Sequence, residues 1–166
     1  MFIVMKIAIS APVNVGKRVE VLGISESEFY SNVDKVISAL SGKEIVIVPH
    51  KGSLSEYVAC KHTGKVIGVV PKNDTEFGID FLNSSVCTEV LDCGTWRNQI
   101  EAMLDVSDVL VVMGLGCGSM AELCFTKWFK VKKIFVVDEF ISSKIPKEID
   151  EELDIEYISV DELMLG

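Results

Sequence analysis

Three glycines stand close together at Gly114, Gly116 and Gly118, and Ser119-x-x-Glu122 follows at once. Glycines lose much backbone entropy on folding, so a cluster of them marks a sharp turn or a close approach. Bare backbone that enters a helix can hold an anion. The first N–H groups of a helix lack partners inside it, and the macrodipole adds positive potential there. In that reading Gly114, Gly116 and Gly118 let the main chain approach a phosphate, and Ser119 adds a hydroxyl. The same residues also fit a plainer structure. Ser-x-x-Glu is a capping box, in which the serine accepts from an N–H of the first turn and the glutamate reaches back. Spacing alone leaves both readings of Glu122 open. The pattern is neither the dinucleotide fingerprint nor a Walker loop, because no Gly-Lys-Ser/Thr follows.

Other candidates lie elsewhere. "VPHKGSLSEY" (48–57) repeats Gly-Ser-x-x-Glu after an apolar run. It makes Gly52 and Ser53 a second candidate phosphate loop, although the spacing favours a cap for Ser53 and Glu56. His50 and Lys51 on this loop fit a surface role as well as a ligand role. Arg97 falls near the start of a predicted helix, where a cation opposes the dipole. A bound anion would offset that, and an arginine pointing into solvent is the alternative. Cys117 lies near a helix N-terminus, which lowers a thiol's pKa. No base is placed beside it, so it reads as a small residue in a tight loop.

The elements that would position these residues alternate along the chain. "FIVMKIAIS", "EIVIVP", "KVIGVVP", "TEVLD", "DVLVVMG", "KIFVVD" and "IEYIS" are short runs rich in Val and Ile. Most are continuous rather than alternating, as strands covered on both faces are. Between them "SESEFYSNVDKVISALSG" carries Phe29, Val33, Val36, Ile37 and Leu40 on one helical stripe, with a serine start and Gly42 as a stop. "SLSEYVACKHTG", "TWRNQIEAMLDVS" and "SMAELCFTKWF" read as helices, and "SVDELM" as a last short one. Strand–helix alternation throughout implies a parallel sheet covered on both faces. The expected fold class is α/β, a three-layer Rossmann-like sheet of about seven parallel strands, in one domain over 1–166. Ligands of such sheets lie outside the carboxyl ends of the strands, where the glycine loop falls.

Composition narrows the function. The chain has 166 residues, is 49% apolar, and carries a formal net charge of −9. That charge argues against an extended nucleic-acid partner, which needs a basic surface. It leaves room for one small anion held by local donors. No apolar run reaches the roughly 20 residues of a membrane span, so no membrane partner is expected. The five cysteines include no C-x-x-C pair. They suit a reducing cytoplasm and imply neither a disulfide framework nor a zinc site. No metal or cofactor is expected.

"TEVLDCGTWRNQIEAMLDVSDVLVVMGLGCGSMAEL" (88–123) resembles the signature region of the Lonely Guy proteins and their lysine-decarboxylase-like Rossmann relatives. Arg97-Asn98 matches an Arg-Lys/Asn pair, Ser107-Asp108 the end of the following helix, and Gly116, Gly118, Ser119 and Glu122 the Pro-Gly-Gly-x-Gly-Thr-x-x-Glu loop. "GKVIGVVPKN" is similar to that family's third strand. The resemblance implies a seven-stranded Rossmann-like sheet, a homodimer, and nucleoside monophosphate ligands whose N-glycosidic bond is hydrolysed. It makes Arg97 and Glu122 a catalytic pair and gives Asn98, Gly116, Gly118 and Ser119 to ligand binding. Glu122 would stabilise an oxocarbenium-like centre or activate water, and Arg97 would orient the ligand or the departing base.

Leu115 stands where the family has a glycine, Ser119 replaces a threonine, and the loops after the first two strands differ. These departures favour nucleotide or phospho-ligand binding over hydrolysis. A non-catalytic sensor or carrier, or a structural protein with a capped turn, are the alternatives. The apolar stretch Met120–Phe129 is the expected dimer surface, since exposed aromatics such as Trp128 need cover.

Overall fold

The computed structural model describes residues 4–165. The chain runs β1 (Lys6–Ser10), α1 (Val15–Leu22), α2 (Glu26–Leu40), β2 (Glu44–Ile47), α3 (Leu54–Lys61), β3 (Val66–Val70), β4 (Glu89–Asp92), α4 (Gln99–Asp105), β5 (Val109–Val112), α5 (Cys117–Phe125), β6 (Lys133–Val137), α6 (Lys147–Asp150) and β7 (Ile155–Ile158). All seven strands join one sheet in the order β4-β3-β2-β1-β5-β6-β7, and every pairing is parallel. The seven apolar runs thus become the seven expected strands.

Strand side chains alternate between the faces of the sheet, and this divides the core in two. Ile7, Ile9, Ile45, Ile47, Val109 and Val111 pack under Phe29, Val33, Val36 and Leu40 of α2 and Leu54 and Val58 of α3. Ala8, Val46, Ile67, Leu110 and Val112 face the other way, against Met103 and Leu104 of α4 and Leu123 of α5. Every residue of the inner strands β3 and β5 is buried. The edge strands expose charge instead, Glu89 and Asp92 on β4 and Glu156 on β7, which discourages further strand addition.

Some elements depart from expectation. α1 lies in what reads as the first loop. None of its residues is fully buried, although Val15, Val19 and Leu22 share one helical face and pack against the first core. Asn14 caps it by accepting from the Lys17 N–H at 3.1 Å. The short α6, after Pro146, likewise has no fully buried residue.

"SVDELM" is not a helix but a chain of turns. Val160, Leu163 and Leu165 are buried against the first core. Glu139 accepts from the Val160 N–H at 3.0 Å and from the Ser159 hydroxyl at 2.9 Å. Tertiary anchors satisfy that backbone, so helical bonds do not form. α5 starts at Cys117, two residues before Ser119. Among the described residues no helix is long and apolar enough to cross a membrane.

Candidate functional site

β1 and β5 lie side by side, in register from Ile7 with Val109 to Ser10 with Val112. From this pair the strand order runs outward in both directions. Their carboxyl ends form the topological switch point, where open α/β sheets leave a crevice. The loops after β1, β2 and β5 meet there around a cavity of 140 Å³, which His50, Ser53, Gln99, Ser119 and Glu122 help to line. A groove of 210 Å³ continues past Asn14, Arg18, Leu115 and Gly116. The two share Gly118 and Ser119 as common walls.

Gly114 turns the chain just after β5 with φ +134°, and a Cβ there would meet Pro12 Cδ at 3.4 Å. That glycine is required by the turn itself. Gly116 and Gly118 are different: a Cβ on either would meet nothing within 4 Å. Gly116 is the N-cap of α5 with extended backbone, φ −159°, and contributes no side-chain cap. The N–H groups of Cys117, Gly118 and Ser119 find no acceptor among the described residues. Ser119 is therefore the third residue of the helix rather than its cap, and the capping box does not form there. Bare backbone, free donors and open space coincide at this loop. Arg18 on α1 adds a cation to the groove and donates to the Leu115 carbonyl.

The second Gly-Ser loop behaves otherwise. Ser53 Oγ accepts from the Glu56 N–H at 3.2 Å, and Glu56 Oε1 accepts from the Gly52 N–H at 3.1 Å. This is the cap that spacing favoured. It occupies the Gly52 donor, while Ser53 still borders the cavity.

Glu122 lies one helical turn after Ser119 and faces the cavity. Its Oε2 is buried and unpartnered, as are Gln99 Nε2 and Ser10 Oγ. Burial pushes the Glu122 carboxyl up to about 7, against the opposing influence of Ser10 and Gln99 beside it. Three polar groups from α5, β1 and α4 thus converge, close enough for Ser10 and Gln99 to favour the carboxylate but without a full hydrogen bond at Ser10 Oγ, Gln99 Nε2 or Glu122 Oε2. Buried polar groups left so are uncommon and call for a partner.

Arg97 is not among them. Its side chain is 82% exposed and pairs with Glu76 at 3.5 Å. Trp96–Asn98 form a 3₁₀ turn before α4, and Asn98 is exposed as well. The buried residue of this stretch is Gln99. Its signal in the sequence is a polar side chain one turn before Met103, on the stripe that α4 buries. Ser10 follows the apolar Ile7, Ala8 and Ile9 of β1 and offers a weaker sign.

No family model matches the chain, and no curated protein matches it in sequence. Solved structures do match in shape. The molybdenum cofactor binding protein of the phototrophic bacterium Rippkaea orientalis superposes with a TM-score of 0.66. It is 14% identical, and the match covers 97% of this chain and 93% of that one. The fold is Rossmann-like. The molybdenum cofactor carrier protein of Chlamydomonas reinhardtii superposes with a TM-score of 0.64 at 16% identity, over 96% of this chain and 92% of that one. The likeness spans the whole sheet, including the strands whose loops build the crevice.

Proposed function

We propose that this chain binds a small phosphorylated ligand, a nucleotide or a related molecule, and holds it as a carrier or sensor. The glycine loop carries the reading. Gly118 occupies a helical position where alanine would serve the helix better, yet nothing in the protein fills the space beside it. Retained bareness next to unsatisfied helix N–H groups suits a phosphate. The names of the two structural neighbours, a binding protein and a carrier protein for the molybdenum cofactor, support a carrier and make that cofactor one candidate ligand. The signature from Arg97 to Glu122 supports descent from a Lonely Guy-like ancestor.

Thermal denaturation with AMP, GMP, ribose 5-phosphate and the molybdenum cofactor tests this reading. A ligand that binds only the folded state raises the midpoint, and at least one of them does so here. No shift with any of the four ends the proposal.

Hydrolysis of an N-glycosidic bond is the second reading, and Glu122 favours it. A carboxyl that titrates near 7 can hold or accept a proton at neutral pH. Arg97 would first have to leave Glu76 and turn inward. Release of free base and ribose phosphate from AMP, lost in Glu122→Ala, establishes it; intact AMP leaves the carrier. We further propose that a second copy of the chain covers Phe125 and Trp128, which are 39% and 71% exposed and pack edge-to-face.

A further inference from the structure

We infer that the ligand carries a flat conjugated ring, and that His50, Phe77, Phe81 and Trp96 form the wall against which it stacks. The inference rests on the phosphate reading of the glycine loop and supplies the other end of the same ligand.

The four side chains line a wide-open apolar hollow of 530 Å³. Ring planes of His50, Phe81 and Trp96 lie within 20–34° of one another, with centroids 5.1–5.5 Å apart. Phe81 and Trp96 rest on the second core, while Phe77 is 65% exposed. Aromatic faces arranged nearly parallel and left open accept another flat ring, since offset stacking is their favoured contact.

The wall is also held in place. Asp74 accepts from the N–H groups of Phe77 at 2.6 Å, Gly78 at 3.2 Å and Trp96 at 3.1 Å, tying two segments together. The Lys51 N–H donates to the Phe81 carbonyl at 2.9 Å, and the Asn83 N–H to the Pro49 carbonyl at 2.8 Å. These bonds fix the β3–β4 loop against His50. Burial lowers the His50 imidazole below its ordinary pKa and favours its neutral form.

His50 borders both this cavity and the one holding Glu122 and Gln99. Gly118 and Ser119 join the latter to the glycine groove. The crevice therefore presents an aromatic wall, then buried polar groups, then free helix N–H groups. A heterocycle joined through a hydroxyl-bearing linker to a phosphate matches that order.

The test uses full-length protein carrying Trp128→Phe, which leaves Trp96 as the sole indole. Its fluorescence and thermal midpoint are followed with AMP, GMP, guanosine, neopterin and ribose 5-phosphate. At least one nucleotide quenches Trp96 and binds about tenfold or more tighter than ribose 5-phosphate, as stacking of a base on aromatic side chains provides. Phe77→Ala removes that advantage and leaves ribose 5-phosphate binding unchanged. Phe77 lies outside the core, so folding survives, and Phe81→Leu gives a second variant with the same expected pattern.

Ribose 5-phosphate binding as tightly as both nucleotides, or Phe77→Ala weakening it equally, overturns the aromatic wall and leaves the phosphate site standing. Quenching by guanosine or neopterin with no binding of any phosphorylated probe does the reverse. Silence from all five and from the molybdenum cofactor overturns both.

Discussion

Glu122 stores a proton that an exposed glutamate would release. Burial of the charged form raises its pKa from 4.5 to about 7. Between those values the folded protein binds more protons than the unfolded chain, so stability falls as pH rises through the interval. Glu122→Gln removes the charge and should flatten that fall. The variant should exceed the parent in stability above pH 7 by up to about 3 kcal/mol. Urea denaturation between pH 4.5 and 8 reads the difference, and an unchanged slope would assign the proton elsewhere.

The glycines divide just as sharply. Gly114→Ala places a Cβ at φ +134° and should destabilise by more than about 1 kcal/mol. Gly118→Ala should leave the fold intact or stabilise it by up to about 1 kcal/mol, while weakening ligand-induced stabilisation. Thermal midpoints with and without AMP separate the two effects. A Gly118→Ala variant that responds to ligand like the parent would remove that glycine from the site.

At the scale of elements, α3 and α5 show how far a motif can be read. Both follow a strand and both carry Gly-Ser-x-x-Glu. α3 opens with Ser53 as its cap, and Ser53→Ala should lower stability by about 1 kcal/mol in equilibrium unfolding. α5 opens two residues before its serine, so the same letters leave Glu122 free to enter the crevice. Local spacing settled the first case and not the second, because the start of α5 is set by Gly116 and the turn at Gly114.

Arg97 failed to meet Glu122 for a related reason. A 3₁₀ turn precedes α4 and turns Arg97 outward, and no residue pattern announces that change of helix type. α2, with five apolar residues on one stripe, was legible. α1, with none fully buried, was not. The aromatic wall escaped sequence reading because its residues, at 50, 77, 81 and 96, come from three separate loops.

The whole sheet is the most legible level. Continuous runs of Val and Ile are what a doubly covered parallel strand requires, and alternation with helices determines the layering. Trp128 lies beside Leu153 just before β7, at the edge of the sheet opposite the crevice. Sedimentation should show a dimer, and Trp128→Ser should shift it toward monomer without abolishing ligand binding. A monomeric parent would leave that face uncovered.

The strand order has a consequence for how the molecule breathes. Loops on β2, β3 and β4 supply the aromatic wall, and the β5 loop with α5 supplies the end proposed for the phosphate. Within the sheet, these two halves pair only at the seam between β1 and β5. A ligand that spans the crevice bridges that seam. Opening of either half then requires the ligand to let go. Amide hydrogen exchange should therefore slow together in residues 71–88 and in α5 when ligand binds, although the two segments are far apart in sequence.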